Sequence, residues 1–167
     1  MKWWPWIIAG VVLGIVLVGG GVYVTLQLVQ QFEGLRLTVY QDEAGKWTIG
    51  WGHLVVPGDP YYPYGDVQEI TREEADALLK QDLATAEATV RRLVEVPITK
   101  NQRAALVSFV FNLGENHFAS STLLRKLNNG DYDGAAAEFD KWVHVGVKVS
   151  NDLVARREQE KQLFLTA

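Results

Sequence analysis

Residues 31–53 read QFEGLRLTVYQDEAGKWTIGWGH, and the way this stretch folds decides how the rest of the chain is read. Leu37 to Asp42 alternates and is rich in β-formers, Glu43-Ala44-Gly45 carries a turn signal, and Lys46 to His53 reads as a second strand with glycine at Gly50 and Gly52. The spacing predicts a hairpin. A three-residue loop with Gly45 in the left-handed position pairs Asp42 with Lys46 and Tyr40 with Thr48, which makes Asp42 and Thr48 diagonal neighbours on one face. A four-residue loop puts them on opposite faces. Glu33 precedes the hairpin on a short helical turn. The stretch therefore offers a carboxylate at a helix end, a second at a strand end, and a hydroxyl across from it.

Upstream, the chain changes character. No charged side chain occurs from Trp3 to Phe32, and Ile7 to Val24 is an 18-residue run of Val, Ile, Leu, Gly, Ala and one Tyr, long enough to cross a bilayer. Lys2 lies before the run and Glu33 is the first charge after it, so the positive-inside bias predicts a cytoplasmic N-terminus with residues 33–167 across the membrane. Trp3, Trp4 and Trp6 fit an interfacial belt. A cleaved signal peptide ends in small residues, whereas Gly19-Gly20-Gly21 is followed by Val22-Tyr23-Val24 and more apolar chain. Retention is therefore expected. The same glycines, with Gly10 and Gly14, weaken the helix by about 1 kcal/mol each relative to alanine, so the span is a poor permanent anchor.

Downstream, helix signals dominate. Thr71-Arg72-Glu73-Glu74 is a capping box opening a helix to about Val94, and Thr99-Lys100-Asn101-Gln102 opens a second, AALVSFVFNL, which Gly114 closes. That second helix is apolar enough to be buried all round. STLLRKLN and GAAAEFDKWV, the latter preceded by Asp133, read as shorter helices, and NDLVARREQEKQLFL as the last. VVPGDPYYPYGDVQE is an irregular loop. The expected fold is α+β: a mostly helical body with a small N-terminal β-hairpin or sheet, preceded by a weakly hydrophobic transmembrane helix. The expected division is residues 1–28 as the membrane segment and 29–167 as one domain.

Composition narrows the chemistry. The formal net charge is −4, and setting aside residues 1–28 with their single Lys2 leaves 15 basic against 20 acidic side chains, the opposite of a nucleic-acid footprint. With no cysteine, there is no disulfide framework, thiolate metal site or cysteine nucleophile. Two carboxylates with a hydroxyl suit glycoside hydrolysis, in which one acid keeps a proton for the leaving oxygen and one ionised carboxylate activates water or attacks. Glu33, beside Phe32 and the apolar run, is the candidate acid; Asp42, at a turn rich in backbone donors, is the candidate carboxylate. Thr48 is placed to hold the water. Spacing alone is weak support in a chain with 20 acidic residues.

The residues themselves carry more. Glu33-Gly34-Leu35-Arg36, Tyr40-x-Asp42, Gly45 and Thr48-Ile49-Gly50-Trp51-Gly52-His53 closely resemble the active-site block of the phage-type lysozymes, glycoside hydrolase family 24. The similarity continues through Gln102-Arg103-Ala104-Ala105-Leu106, Phe111-Asn112-Leu113-Gly114, Ser121-Thr122-Leu123-Leu124 and Arg156-Arg157-x-x-Glu160. It implies a lysozyme-like fold, Glu33 as general acid, Asp42 as the water-activating carboxylate, Thr48 as its partner, and peptidoglycan as substrate, with no metal or cofactor. Leu54, Phe111, Asn112 and Ser121 match positions that line the family's saccharide cleft, although Leu54 and Phe111 would look the same as core. His53 fits an ion-pair partner better than a proton shuttle, and Trp51 suits either packing or sugar stacking. Arg156 and Arg157 resemble a family pair, one of which would contact the catalytic glutamate and tune its charge; the alternative is a solvated helix face. Asn151-Asp152-Leu153 departs from the family's Gly-Leu before the arginine pair.

A weak span joined to such a domain resembles the signal-arrest-release endolysins, exported with an uncleaved N-terminal segment and active after leaving the bilayer. The resemblance implies an inner-membrane enzyme held through residues 7–28, then a released periplasmic one, expected to be monomeric. Three other functions would also account for parts of the sequence. A lytic transglycosylase cuts the same polymer with one glutamate and no water-activating carboxylate. A membrane-anchored wall-binding module, or a small pore-forming lysis protein, explains the span and needs neither acid.

Overall fold

A computed structural model describes residues 21–42, 44–62 and 69–166, with residues 21–24 as backbone only. Helix α1 (Gly21–Glu33) leads into β1 (Arg36–Gln41), β2 (Trp47–Gly50) and β3 (His53–Leu54), followed by α2 (Arg72–Leu93) and α3 (Lys100–Leu113). After these come α4 (Glu115–Ala119), α5 (Thr122–Asn128) and α6 (Tyr132–Glu138), a 3₁₀ turn at Phe139–Lys141, β4 (His144–Val145), β5 (Lys148–Val149) and α7 (Asn151–Leu165). The result is a mostly helical α+β fold with a three-stranded antiparallel sheet in the order β1-β2-β3.

The β1–β2 register is the one that the Gly45 loop predicts. Tyr40 pairs with Thr48 and Gln41 with Trp47, the Asp42 amide donates to the Lys46 carbonyl at 2.9 Å, and Gly45 has φ +76°. The second strand, expected to run to His53, is shorter. It stops at Gly50 and the chain reverses through Gly50-Trp51-Gly52, so that His53 pairs back with Ile49. Gly50 (φ +68°) and Gly52 (φ +85°) supply the left-handed conformations of that turn. Alternation alone does not reveal a reversal inside an otherwise β-rich run.

Both capping boxes form, at Thr71 with Glu74 and at Thr99 with Gln102. In α3, Ala104 to Val110 are buried without interruption, because α1, α2 and α7 all pack around it. Phe109 is the hub: its ring meets Phe118, Phe139 and Trp142 edge-on at centroid distances of 6.2, 5.2 and 5.6 Å. Helix α6 is capped by Asp131 rather than Asp133, since Asp131 accepts from the Gly134 amide at 2.8 Å. Ser150 caps α7 ahead of the departing Asn151-Asp152-Leu153. Helix α4 and the β4–β5 hairpin, with Gly146 at φ +59°, had no counterpart in the expected elements.

The predicted span falls largely on residues 1–20, outside the described residues. Among the described residues no helix is long and apolar enough to cross a membrane. Residues 21–28 belong to α1, which continues across position 28 to Glu33 and buries Thr25, Leu28 and Val29 against the body.

Candidate active site

Glu33 is the last residue of α1, and Gly34 at φ +61° lets the chain leave the helix at once. Two neighbours fix its carboxylate. Arg156 of α7 donates from Nη1 to Glu33 Oε1, placing a positive charge at the negative C-terminal end of α1. On the other side lies the Gly52 backbone. A Cβ built on Gly52 would stand 2.5 Å from Glu33 Oε2, a contact no side chain can make. The Glu33 side chain keeps 18% of its surface exposed, enough to be reached from solvent. Its surroundings are less apolar than Phe32 and the run before it suggested, because the Arg156 guanidinium sits against it. Of the two arginines, Arg156 makes the contact; it lies 5.6 Å from the Phe32 ring centroid and 6.0 Å from that of Phe111.

Asp42 closes the β1–β2 loop. Its Oδ1 accepts from the amides of Ala44 (2.9 Å) and Lys46 (2.8 Å), which fixes the carboxylate without using Oδ2. Thr48 is nearly buried on β2, with its hydroxyl donating at long range to the carbonyls of Tyr40 (3.4 Å) and Lys46 (3.3 Å). The observed register puts Asp42 and Thr48 on the same hairpin face.

A groove of about 240 Å³ opens at Gly52, whose backbone meets the Glu33 carboxyl group, with Gly52, His53 and Leu54 on one wall, Asp82 and Thr89 of α2 on another, and Phe111 of α3 on a third; Glu33, Asp42 and Thr48 are not among its lining residues. It brings together Leu54, which is exposed, and Phe111. Asn112 and Ser121, the other two expected cleft residues, are bonded within the protein. Asn112 Oδ1 accepts from Arg157 at 2.9 Å, and Ser121 is a buried cap of α5, accepting from the Leu124 amide and donating to the Phe118 carbonyl. His53 Nδ1 lies 2.9 Å from Asp82 Oδ2, with Asp59 3.7 Å from the other ring nitrogen. The hydrogen bond to Asp82 raises the His53 pKa against the opposing effect of burial. Trp51 is packed, its indole N–H donating to Asp76 at 2.7 Å. Among the described residues no cluster of His, Cys, Asp and Glu could hold a metal ion.

Behind Glu33 lies a buried layer for which the sequence offers Arg157 as a candidate and gives Glu160 and Ser108 no role. Glu160 has no solvent exposure; its Oε1 accepts from Ser108 Oγ (2.7 Å), Arg156 Nε (3.2 Å) and Arg157 Nη2 (3.3 Å). Arg157 Nε stands 3.0 Å from Glu160 Oε2, off the line of a hydrogen bond. Burial pushes the Glu160 pKa up and brings that of Arg157 down to about 10. The available signal was the spacing of Arg156, Arg157 and Glu160, which at i, i+1 and i+4 turns all three toward one side of a helix.

Comparison with known proteins bears on this geometry. The family model described as phage lysozyme matches residues 30–160. An endolysin of Acyrthosiphon pisum secondary endosymbiont phage 1 is 45% identical over 146 residues, covering 85% of this chain and 95% of that protein. A SAR-endolysin of Bacteriophage PS119 is 38% identical over 136 residues, covering 80% and 76%. Among solved structures, the muramidase domain of SpmX from Asticaccaulis excentricus superposes with a TM-score of 0.74 at 38% identity, covering 86% of this chain and 96% of that one.

Proposed function

Since this chain belongs to the phage lysozyme family and is an endolysin-type lysozyme, we propose that it hydrolyses the β-1,4 bond between N-acetylmuramic acid and N-acetylglucosamine in peptidoglycan. Glu33 donates a proton to the leaving oxygen, Asp42 activates the attacking water, and Thr48 positions that water. The observation that carries the assignment is the seating of Glu33. Its carboxylate is fixed between Arg156 and the Gly52 backbone, beside a groove that Gly52 itself lines. Leu54 and Phe111 offer the saccharide an apolar contact in that groove. Asn112 would meet the saccharide through its amide nitrogen, since its Oδ1 is engaged by Arg157, and Ser121, engaged as the cap of α5, would shape the cleft from behind.

The test is turbidity clearing of purified peptidoglycan by the full-length chain against Glu33→Gln. Wild type should clear and the variant should lose on the order of a thousandfold in rate, the scale of a lost general acid. Equal clearing would remove the assignment, and clearing by neither would favour a wall-binding module. Hydrolysis leaves reducing sugar ends; anhydro ends would identify a transglycosylase instead.

The proposal extends to export. Residues 7–28 act as an uncleaved signal and temporary anchor while the chain from residue 29 onward faces the periplasm, and the enzyme acts as a released monomer whose folded body takes in residues 25–28. Two facts favour this. SAR-endolysins are among the relatives, and Thr25, Leu28 and Val29 are buried in the body, a placement incompatible with lipid. While tethered, α1 cannot dock and Glu33 is out of place; release lets residues 21–28 join the body. A chain with Gly19, Gly20 and Gly21 replaced by Leu should stay in the membrane fraction and be lytically silent, and rapid lysis by it would sink the idea.

A further inference from the structure

Glu33 is held by Arg156, and Arg156 must itself be held. A guanidinium presents donors along three edges in a rigid plane. Here Nη1 goes to Glu33, Nε to Glu160 and Nη2, at 3.4 Å, to the carbonyl and hydroxyl of Ser108. Arg156 is 3% exposed, so water contributes little to orienting it.

The charge behind the site is also counted closely. Arg156 and Arg157 are adjacent on α7, and each lies within ion-pair distance of the same buried carboxylate. Among the described residues the charged groups next to Glu160 are these two arginines, with Glu33 of α1 beyond Arg156; α3 contributes neutral groups, Ser108 to Glu160 and Asn112 to Arg157. With Glu33 ionised, two cations face two anions; with Glu33 holding the proton it donates, Arg156 and Arg157 face Glu160 alone. Without Glu160, two neighbouring guanidinium groups would share only Glu33, and the wall behind the cleavage point would carry a net positive charge in a poorly solvated layer, where one unpaired charge is costly. Arg157 does not reach Glu33 by any hydrogen bond. Its part is to balance Glu160 while Glu160 fixes Arg156.

We propose that Glu160, with Arg157 as its counter-charge and Ser108 as its hydrogen-bond partner, is a positioning residue for the glycosidase reaction: it fixes the Arg156 plane and sets the net charge behind Glu33. The inference rests on Glu33 being the general acid. It assigns function to a residue that never meets substrate, and it predicts opposite effects from removing Glu160 and removing Arg157.

A site that must keep a proton at the point of cleavage loses it sooner when the charge behind it becomes more positive. Glu160→Gln adds one net positive charge and leaves shape almost unchanged. The alkaline limb of the pH–rate profile should move down by about one pH unit or more, the order of magnitude for a unit charge held one guanidinium away at an effective dielectric of about 20. Arg157→Met should move the same limb up, and the double variant should return it to the wild-type position. Ser108→Ala loses the hydrogen bond without a charge, so the rate should fall several-fold with the limb unmoved.

The experiment measures initial clearing rates of peptidoglycan by the full-length chain from acid to alkaline pH, with near-ultraviolet circular dichroism reporting folding. A merely structural Glu160 would lower the rate at every pH alike. An unmoved limb in folded Glu160→Gln, or a shift that the double variant does not reverse, overturns the inference. Should Glu160→Gln fail to fold, Arg157→Met decides: an upward shift sustains the charge balance and an unmoved limb overturns it. Glu33→Gln run in parallel separates the two levels. If it clears like wild type, the general-acid assignment falls; if it is silent while the Glu160 and Arg157 limbs stay fixed, only the positioning role falls.

Discussion

At the residue scale, two glycines with the same unusual backbone have different duties. Gly45 and Gly52 both have φ near +80°, and an added methyl group at either costs roughly 1–2 kcal/mol in a left-handed conformation. The Gly45 Cβ position is open, while at Gly52 it is filled by the Glu33 carboxylate. Gly45→Ala should therefore lower stability by that amount, read as a drop in the urea midpoint, and leave clearing activity close to wild type once folded. Gly52→Ala should pay the same strain and also displace Glu33 from between Arg156 and the turn. A shift of about 1 Å in a reacting group is enough to cost about a hundredfold in rate. Comparable rate losses in the two variants would contradict this division of roles. Part of it was legible in advance: Gly45 announces the register that aligns Asp42 with Thr48. The close approach at Gly52 was hidden, because it pairs residues from different elements.

At the element scale, local chemistry marks boundaries well and reversals poorly. Thr71 with Glu74 and Thr99 with Gln102 open α2 and α3 where their capping boxes stand. Asp131 and Asp133 are both plausible caps, and only the bond to the Gly134 amide separates them. The turn at Gly50-Trp51-Gly52 is stabilised from outside by Trp51 on Asp76 and by His53 on Asp82, both on α2, and no strand pattern encodes that. The His53 pair ties β3 to α2 and gives the fold a pH dependence. Its pKa is raised above the ordinary 6.5, so its contribution is fully present below pH 6.5 and is lost as pH rises through the raised value. His53→Asn should lose on the order of 1 kcal/mol of stability at pH 5.5 and progressively less above neutrality. Urea melts of both proteins at a series of pH values check this; a difference that stays constant or grows with pH would contradict the ion pair.

At the scale of the whole molecule, the apolar N-terminal run and the catalytic body overlap instead of meeting at a border. Sequence composition places a boundary near residue 28, because charge and turn signals begin there and hydropathy ends. Packing draws it earlier. Thr25 and Leu28 are buried, Leu26 packs against the core, and Val29 has no exposure at all, so α1 is both the tail of the apolar run and the support of Glu33. A body that begins at residue 29 would lose the buried Leu28 and the partly buried Leu26, together worth about 3 kcal/mol of buried apolar surface, and would leave Glu33 on a single helical turn. Relative to a chain beginning at residue 21, one beginning at residue 29 should therefore melt about 10 °C lower, the shift that about 3 kcal/mol produces in a domain of this size. It should also clear peptidoglycan far more slowly at equal concentration. Thermal melts and clearing rates of the two truncated chains give the comparison. Equal melting temperatures with equal rates would mean that residues 21–28 do not support the active site, and the coupling between leaving the membrane and seating Glu33 would fall with them.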